Sequence, residues 1–392
     1  MDLKDYPADL EFRYKSRVWL ANNSPRRPRP VDDAGALAFD REWQQCLHQG
    51  GWAGVNWPAE YGGLGLSGLR YLIWLEECAR ANAPLHSGAN YTGLYHAGPT
   101  LIARGSDVQK KYHLPSILRG EKMWCQGFSE PGAGTDLAAL RCRGDIDGEY
   151  IVVNGQKAWT TNGHFADFQE LLVRTDPASQ RHHGLTWIIG DMRLPGVTVR
   201  PVKTMMGECE VNDTFFDNVR IPIANVVGGI GNGWSVAMST FAFERGIGFI
   251  GDQIELTQRV EMVIEMARRS WLPSGKLAIK DDGIAARLAT VKAEIVALKA
   301  LTLTTLNQIE RNGQPGAEGS VMKLLVTTAY KALFQIAADI LGPRFLDYAE
   351  NRHSNEWTYR YLWSWVLTIA GGSNEIQRDI IADRILGLPR AR

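Results

Sequence analysis

The chain has 392 residues, 45% of them hydrophobic and 22% charged, a length and composition that imply a globular protein of two or three domains. Lysine plus arginine and aspartate plus glutamate both number 43, so the formal net charge is zero and nothing in the electrostatics points to a nucleic-acid partner. No apolar run reaches the roughly 18 residues of a membrane span, and the opening Met1-Asp2-Leu3-Lys4-Asp5-Tyr6 lacks an apolar signal core, so a cytoplasmic location is expected.

Residues 1–122 read as a helical domain, with Phe12, Val18 and Leu20 on a first helix, a segment around Trp43 to Leu47, and another from Leu69 to Ala81. Between the last two, Gly51 to Gly63 is punctuated by glycine, proline and aromatics, which predicts a shaped loop. Tyr91 to Pro99 follows, and the charge-mixed Asp107 to Glu121 predicts a surface helix.

Residues 123–225 change period. Tyr150 to Trp159 has a β-rich arm and an Asn154-Gly155 pair, which predicts a hairpin turn. Leu171 to Thr175, Leu185 to Asp191, Val197 to Val202 and Asp213 to Ile221 are strand-like and bounded by proline or glycine, so a small all-β domain, a barrel or sheet, is expected. Residues 226–392 return to helix. Trp234 to Ser270 reads as one long helix. Ile284, Leu288, Val291, Ile295 and Leu298 step by four and three, as do Leu333, Ile336, Ala337, Ile340 and Leu341. A last helix, Trp363 to Leu386, is interrupted at Gly371-Gly372, and the set implies a four-helix bundle in an α+β multi-domain fold.

Five cysteines, Cys46, Cys78, Cys125, Cys142 and Cys209, form no Cys-x-x-Cys pair, and eight histidines show no ligand spacing. No disulfide framework or metal site is expected; Glu208 and Glu210 read as a turn-exposed pair. Chemistry concentrates instead in Met123 to Asp136 and in Trp159-Thr160-Thr161-Asn162. These offer backbone N–H groups from a bent segment, the hydroxyls of Ser129 and Thr135, and an aromatic edge, which suits a large, flat, polar-edged cofactor such as a flavin.

Four stretches carry a family likeness: Gly51 to Gly63, Phe128 to Asp136, Asn154 to Asn162, and Ser373-Asn374-Glu375-Ile376-Gln377-Arg378. In these the chain resembles the acyl-CoA dehydrogenase family over essentially its whole length. The resemblance implies FAD, an acyl-CoA thioester oxidised to the trans-2-enoyl-CoA, and electrons passed to an electron-transferring flavoprotein. It implies that Gln126, Phe128, Ser129, Gly134 and Thr135 line the flavin, with Trp159 and Thr161 against the ring and its N5 region and Ser373 and Glu375 approaching from the last helix. The residues alone also allow Trp159 to be a core tryptophan and Ser373 a helix cap.

Such a reaction needs a base, an electron sink and a donor to the developing enolate oxygen. Many family members carry the base two residues before the position of Ser373, where this chain has Gly371. A branch resembling the isovaleryl and long-chain enzymes places it on the first bundle helix, at the position of Glu244 here. Between Trp234 and Ile250 the only other ionisable side chain is Arg245, which as a sequence neighbour projects about 100° away on a helix. An unpartnered carboxylate in that apolar stretch is costly unless used, and enclosure by phenylalanines would raise its proton affinity. The resemblance further implies that the Gly371 N–H, with a flavin ribityl hydroxyl, binds the thioester oxygen. Arg245 is a candidate for the CoA phosphate or the active-site wall, and equally for a structural ion pair.

Two departures concern the neighbouring subunit. The family's Arg-x-x-Phe-Gly stretch is Arg268 to Lys276 here without the phenylalanine, and its Gln-Ile-Leu-Gly-Gly stretch is Asp339-Ile340-Leu341-Gly342-Pro343. Aspartate near a pyrophosphate is unfavourable and proline removes a donor. The chain is therefore expected in an oligomer: either with a different acyl-CoA dehydrogenase-like subunit, as in bacterial heteromers acting on bulky steroid- or dicarboxyl-derived thioesters, or with itself, using Arg268, Arg269 or Arg344 as substitutes. Other readings are an oxygen-using relative, an acyl-CoA oxidase or flavin monooxygenase, and a non-catalytic subunit of a heteromer.

Overall fold

The computed structural model describes residues 6–85, 88–312, 316–349 and 355–389. The chain opens with α1 (Pro7–Asn23), α2 (Asp33–Gln49) and α3 (Gly68–Arg80), followed by α4 (Gly98–Arg104) and α5 (Asp107–Leu118). Pro7 sits at the first helical position of α1, where its missing N–H costs nothing, and Ser106 and Gln109 close a reciprocal capping box on α5. The Gly51 to Gly63 segment is a shaped loop, as expected. Its Trp52 stacks on Trp74 of α3 at 4.4 Å between ring centroids, and its Trp57, 1% exposed, donates its indole N–H to the Leu94 carbonyl at 2.9 Å. That bond holds the wide π-helical turn Gly93–Ala97 just before α4.

The middle of the chain forms an eight-stranded sheet from β1 (Trp124–Gly127), β2 (Arg143–Asp147), β3 (Tyr150–Thr161), β4 (Phe168–Arg174), β5 (Leu185–Asp191), β6 (Val197–Val202), β7 (Val211–Pro222) and β8 (Val226–Val227). The strand order is β6-β7-β3-β2-β4-β5-β8, and β1 lies parallel to β4 with Gln126 beside Glu170. The hairpin expected at Asn154-Gly155 is absent: β3 runs through it with a bulge, and the tight turn is at Gly148, φ 59°, between β2 and β3. Gly155 is required for close approach, since a Cβ there would lie 2.9 Å from the Cys142 Cα.

The helices of the last part are α6 (Gly233–Ile247), α7 (Ile250–Arg269), α8 (Asp282–Asn312), α9 (Glu318–Leu341), α10 (Glu356–Leu367) and α11 (Asn374–Ile380). The single helix expected from Trp234 to Ser270 is two, broken at Gly248 and Phe249. The segment Glu318–Leu346 has the length and apolarity of a membrane span. Its Val326, Tyr330, Leu333, Phe334 and Ala337 nevertheless lie in one core with α7 and α8, the position of a bundle's central helix.

Three contacts register the parts against one another. Thr100 of α4 and Thr240 of α6 share a buried hydroxyl hydrogen bond of 2.9 Å, and Phe128 meets Phe241 edge to face at 5.6 Å. From the far end, Tyr359 donates to Glu208 at 3.0 Å. Glu208 and Glu210 are both half-buried rather than turn-exposed, Glu208 beneath this α10 contact.

His113 of α5 lies edge-on to Trp124 at 5.1 Å and to Phe168 at 4.8 Å, and burial pulls its pKa from 6.5 to about 4. The unfolded chain therefore takes up this proton first as pH falls, so stability is lost between pH 6.5 and about 4. Replacing His113 with phenylalanine should remove roughly 2 kcal/mol of the stability lost between pH 7 and pH 5, read from denaturant midpoints at the two pH values.

Candidate active site

Glu244 lies on the last full turn of α6, and Gly371 on the bend between α10 and α11. A Cβ added to Gly371 would sit 2.9 Å from Glu244 Oε1 and 3.9 Å from Phe249 Cζ. The carboxylate from one helix therefore fills the volume that a side chain at 371 would claim from the other. Among the described residues no hydrogen bond or ion pair is made to that carboxylate, nor any hydrogen bond by the Gly371 N–H. The carboxylate thus lies against a backbone segment whose Gly371 N–H is unengaged among the described residues. The Arg245 side chain lies outside the described residues.

The bend is held from behind. Gly371 and Gly372 have φ of 65° and 88°, a conformation that side-chain-bearing residues rarely adopt. The buried Lys323 of α9 donates to the Gly372 carbonyl at 2.7 Å, and Gln377 of α11 donates to the Gly371 and Gly372 carbonyls at 2.9 and 3.2 Å. With both carbonyls occupied, the peptide planes cannot rotate without losing buried hydrogen bonds. Ser373 caps α11, its hydroxyl accepting from the Ile376 N–H at 3.4 Å, while Glu375 is exposed beside Arg378 at 3.6 Å.

A second surface is built by the sheet. Trp159 is 66% exposed with φ 61°, at a shift in register between Lys157 and Thr160, so a large aromatic is turned outward at a backbone cost of about 1–3 kcal/mol. Thr161, two residues on, is exposed like Trp159, and Gly134 and Thr135 are exposed as well. Beneath them Lys157 and Glu130 form a buried pair at 2.8 Å. Lys157 also donates to the Phe128 carbonyl at 3.0 Å, and Glu130 accepts the N–H groups of Arg141 and Cys142. The Ala158 N–H reaches the Ser129 carbonyl at 2.9 Å. These bonds lock the Phe128 to Thr135 bend against Trp159. An outward aromatic beside hydroxyls and a bent backbone fits the edge and face of a flavin.

Gln126 is placed differently from the rest of the expected flavin set. Its Nε2 lies 3.3 Å from His96 Nδ1 and 3.2 Å from Glu170 Oε2, so its amide is engaged on the α6 side. Burial pushes the Glu170 carboxyl and the Tyr91 phenol up and the His96 imidazole down, and all three also feel the charge of Glu244. Sequence reasoning missed Tyr91, His96 and Glu170 as a group, along with Lys157, Lys323 and Gln377. A glutamate inside the apolar run Phe168 to Val173 was the available signal.

Comparison with known proteins follows this geometry. The family model for the acyl-CoA dehydrogenase N-terminal domain matches residues 7–121, the middle-domain model 125–219 and the C-terminal-domain model 231–386. Acyl-CoA dehydrogenase IpdE1 from Mycobacterium tuberculosis is 39% identical over 389 residues, 97% of this chain and 98% of that protein. The chain belongs to the acyl-CoA dehydrogenase family. Members are FAD-dependent enzymes. A solved structure described as the Tcur3481-Tcur3483 steroid ACAD is similar with a TM-score of 0.84 and 29% identity, covering 100% of both chains. The ChsE4-ChsE5 complex from Mycobacterium tuberculosis gives 0.83 and 30%, again over 100% of both. Both of these relatives are described by paired names, and the second as a complex.

Gly371→Ala tests the shared volume. It should cost roughly 1–3 kcal/mol from φ alone, as should Gly387→Ala, at φ 63° with nothing within 4 Å of the added Cβ. The excess at 371 over 387 is attributed to the displaced carboxylate and should vanish in a Glu244→Ala background, measured by chemical denaturation.

Proposed function

We propose that this chain binds FAD and catalyses α,β-dehydrogenation of an acyl-CoA thioester to the trans-2-enoyl-CoA. The observation that carries the reading is the Glu244 carboxylate of α6 packed against the Gly371 bend, 2.9 Å from where a Cβ there would lie, with the Gly371 N–H making no hydrogen bond among the described residues. Glu244 removes the α-proton, being a carboxylate that the described residues leave without a hydrogen bond. The Gly371 N–H donates to the thioester oxygen as negative charge builds there. Trp159, Thr161, Ser129 and Thr135, with Gly134 and Phe128 behind them, would hold the isoalloxazine, and Ser373 and Glu375 would lie toward its far end. When bound, the flavin supplies the acceptor for the β-hydride and passes electrons to an electron-transferring flavoprotein. Phe249 and Phe241 keep the reacting carbons in apolar surroundings.

The assembly is proposed to be heteromeric, with another acyl-CoA dehydrogenase-like chain. In support, Asp339 is bound within its own chain by Arg287 at 2.6 Å and Gln335 at 3.1 Å, and Arg268 pairs with Glu265 at 3.4 Å. These side chains are occupied rather than offered to a neighbour's pyrophosphate. A bulky thioester, as in the relative described as a steroid enzyme, fits this reading.

Glu244→Gln should slow anaerobic flavin bleaching by substrate by roughly 10²- to 10⁴-fold while the FAD absorbance is retained; unchanged bleaching removes Glu244 from the mechanism. Expressed alone, the chain should purify with substoichiometric FAD and gain it on co-expression with a paired subunit. Full FAD content and turnover from the isolated chain exclude the heteromer.

A further inference from the structure

The cluster of Tyr91, His96, Gln126 and Glu170 is unexplained by proton removal or by the flavin shelf. Glu170 is fully buried and His96 is 6% exposed, yet among the described residues neither Glu170 Oε1 nor His96 Nε2 has a hydrogen-bond partner. Leaving such atoms unpaired is destabilising, and native folds rarely do so without use. Their neighbours define where they lie. Tyr91 packs edge-on against His96 at 5.3 Å, and its hydroxyl lies 3.2 Å from where a Cβ on Gly248 would be, one turn past Glu244. The group therefore sits on the N-terminal-domain side of the base.

The bonds within the cluster assign its free atoms. Gln126 Nε2 carries two protons and meets two acceptors, His96 Nδ1 and Glu170 Oε2. With Nδ1 accepting, a neutral His96 carries its proton on Nε2. Burial keeps that ring neutral and holds the Glu170 carboxyl protonated, so with Oε2 accepting from Gln126 its proton belongs on Oε1. Two buried donors, His96 Nε2–H and Glu170 Oε1–H, remain. An oxygen acceptor would satisfy either of them. A carboxylate there would meet the negative field of Glu244, which already acts on His96 and Glu170, so a neutral oxygen is favoured.

We propose that His96 and Glu170, positioned by Gln126, form a subsite that hydrogen-bonds a ketone or hydroxyl oxygen on the acyl chain, remote from the thioester. The subsite rests on the dehydrogenase reading and deepens it: the substrate is an oxygenated acyl-CoA rather than a plain hydrocarbon chain. A hydrocarbon chain would leave both donors buried and unpaired, so discrimination is large for a single functional group.

The test uses the FAD-loaded enzyme in the assembly in which it is active. Decanoyl-CoA is compared with its oxo-isomers, the ketone walked from the γ-carbon to the chain end. At least one isomer should exceed decanoyl-CoA by on the order of 10- to 100-fold in kcat/KM, mostly through KM. His96→Leu should abolish that preference, lowering kcat/KM for the favoured oxo compound well beyond any loss on decanoyl-CoA, while leaving FAD bound. Glu170→Gln, which retains a donor, should keep part of it. Equal rates across the series in the wild type overturn the subsite alone, because dehydrogenation is then still observed. Loss of FAD in His96→Leu, or equal loss on both substrate types, also overturns it, placing the cluster on the cofactor or in the scaffold. Absence of bleaching by every thioester overturns the dehydrogenase reading and the subsite with it.

Discussion

The active site depends on one steric exchange. A single small volume can hold a side chain from residue 371 or a carboxylate arriving from α6, and this chain has taken the second option by placing glycine at 371. The exchange is workable only if the bend keeps its left-handed geometry without a side chain to fix it. Buried Lys323 and Gln377 supply that constraint by engaging the two glycine carbonyls. It also requires α6 to stay in register with the N-terminal domain and the sheet, which the Thr100–Thr240 hydrogen bond and the Phe128–Phe241 contact provide.

Much of this was legible in the residues because its determinants are local. Strand-like composition bounded by glycine or proline marked β5 and β6 to the residue, and Gly371-Gly372 announced a break between the last helices. Asn154-Gly155 misled because local turn chemistry was overruled by a neighbour: the Cys142 backbone lies so close that position 155 must lack a side chain, and the glycine serves packing rather than a turn. The continuous helix expected from Trp234 to Ser270 failed similarly. Its apolar period continues across Gly248, where an added Cβ would meet the Glu244 carbonyl oxygen and lie 3.2 Å from the Tyr91 hydroxyl.

The candidate site was legible where it coincides with contiguous motifs and illegible where chemistry is assembled across the fold. Glu244 stood out because little else in its helix ionises. His96, Gln126 and Glu170 are far apart in sequence and meet only because β1 lies parallel to β4 and the Gly93–Ala97 turn is tied down by Trp57. No spacing rule encodes that meeting.

The buried polar groups divide by how completely they are satisfied. Lys157 and Glu130 are closely bonded: the ammonium meets a carboxylate and a carbonyl, and the carboxylate accepts two further N–H groups. Such a pair rigidifies the bend on which Trp159 is exposed, and replacing one member would strand the other's charge. The His96, Gln126 and Glu170 group is internally bonded yet ends in free donors. Scaffold alone would favour apolar residues at these positions, since a partly satisfied buried network is worse than none. The contrast within one protein, a closely bonded network behind Trp159 and an open one near Glu244, underlies the proposed division between residues that shape the site and residues that meet what enters it.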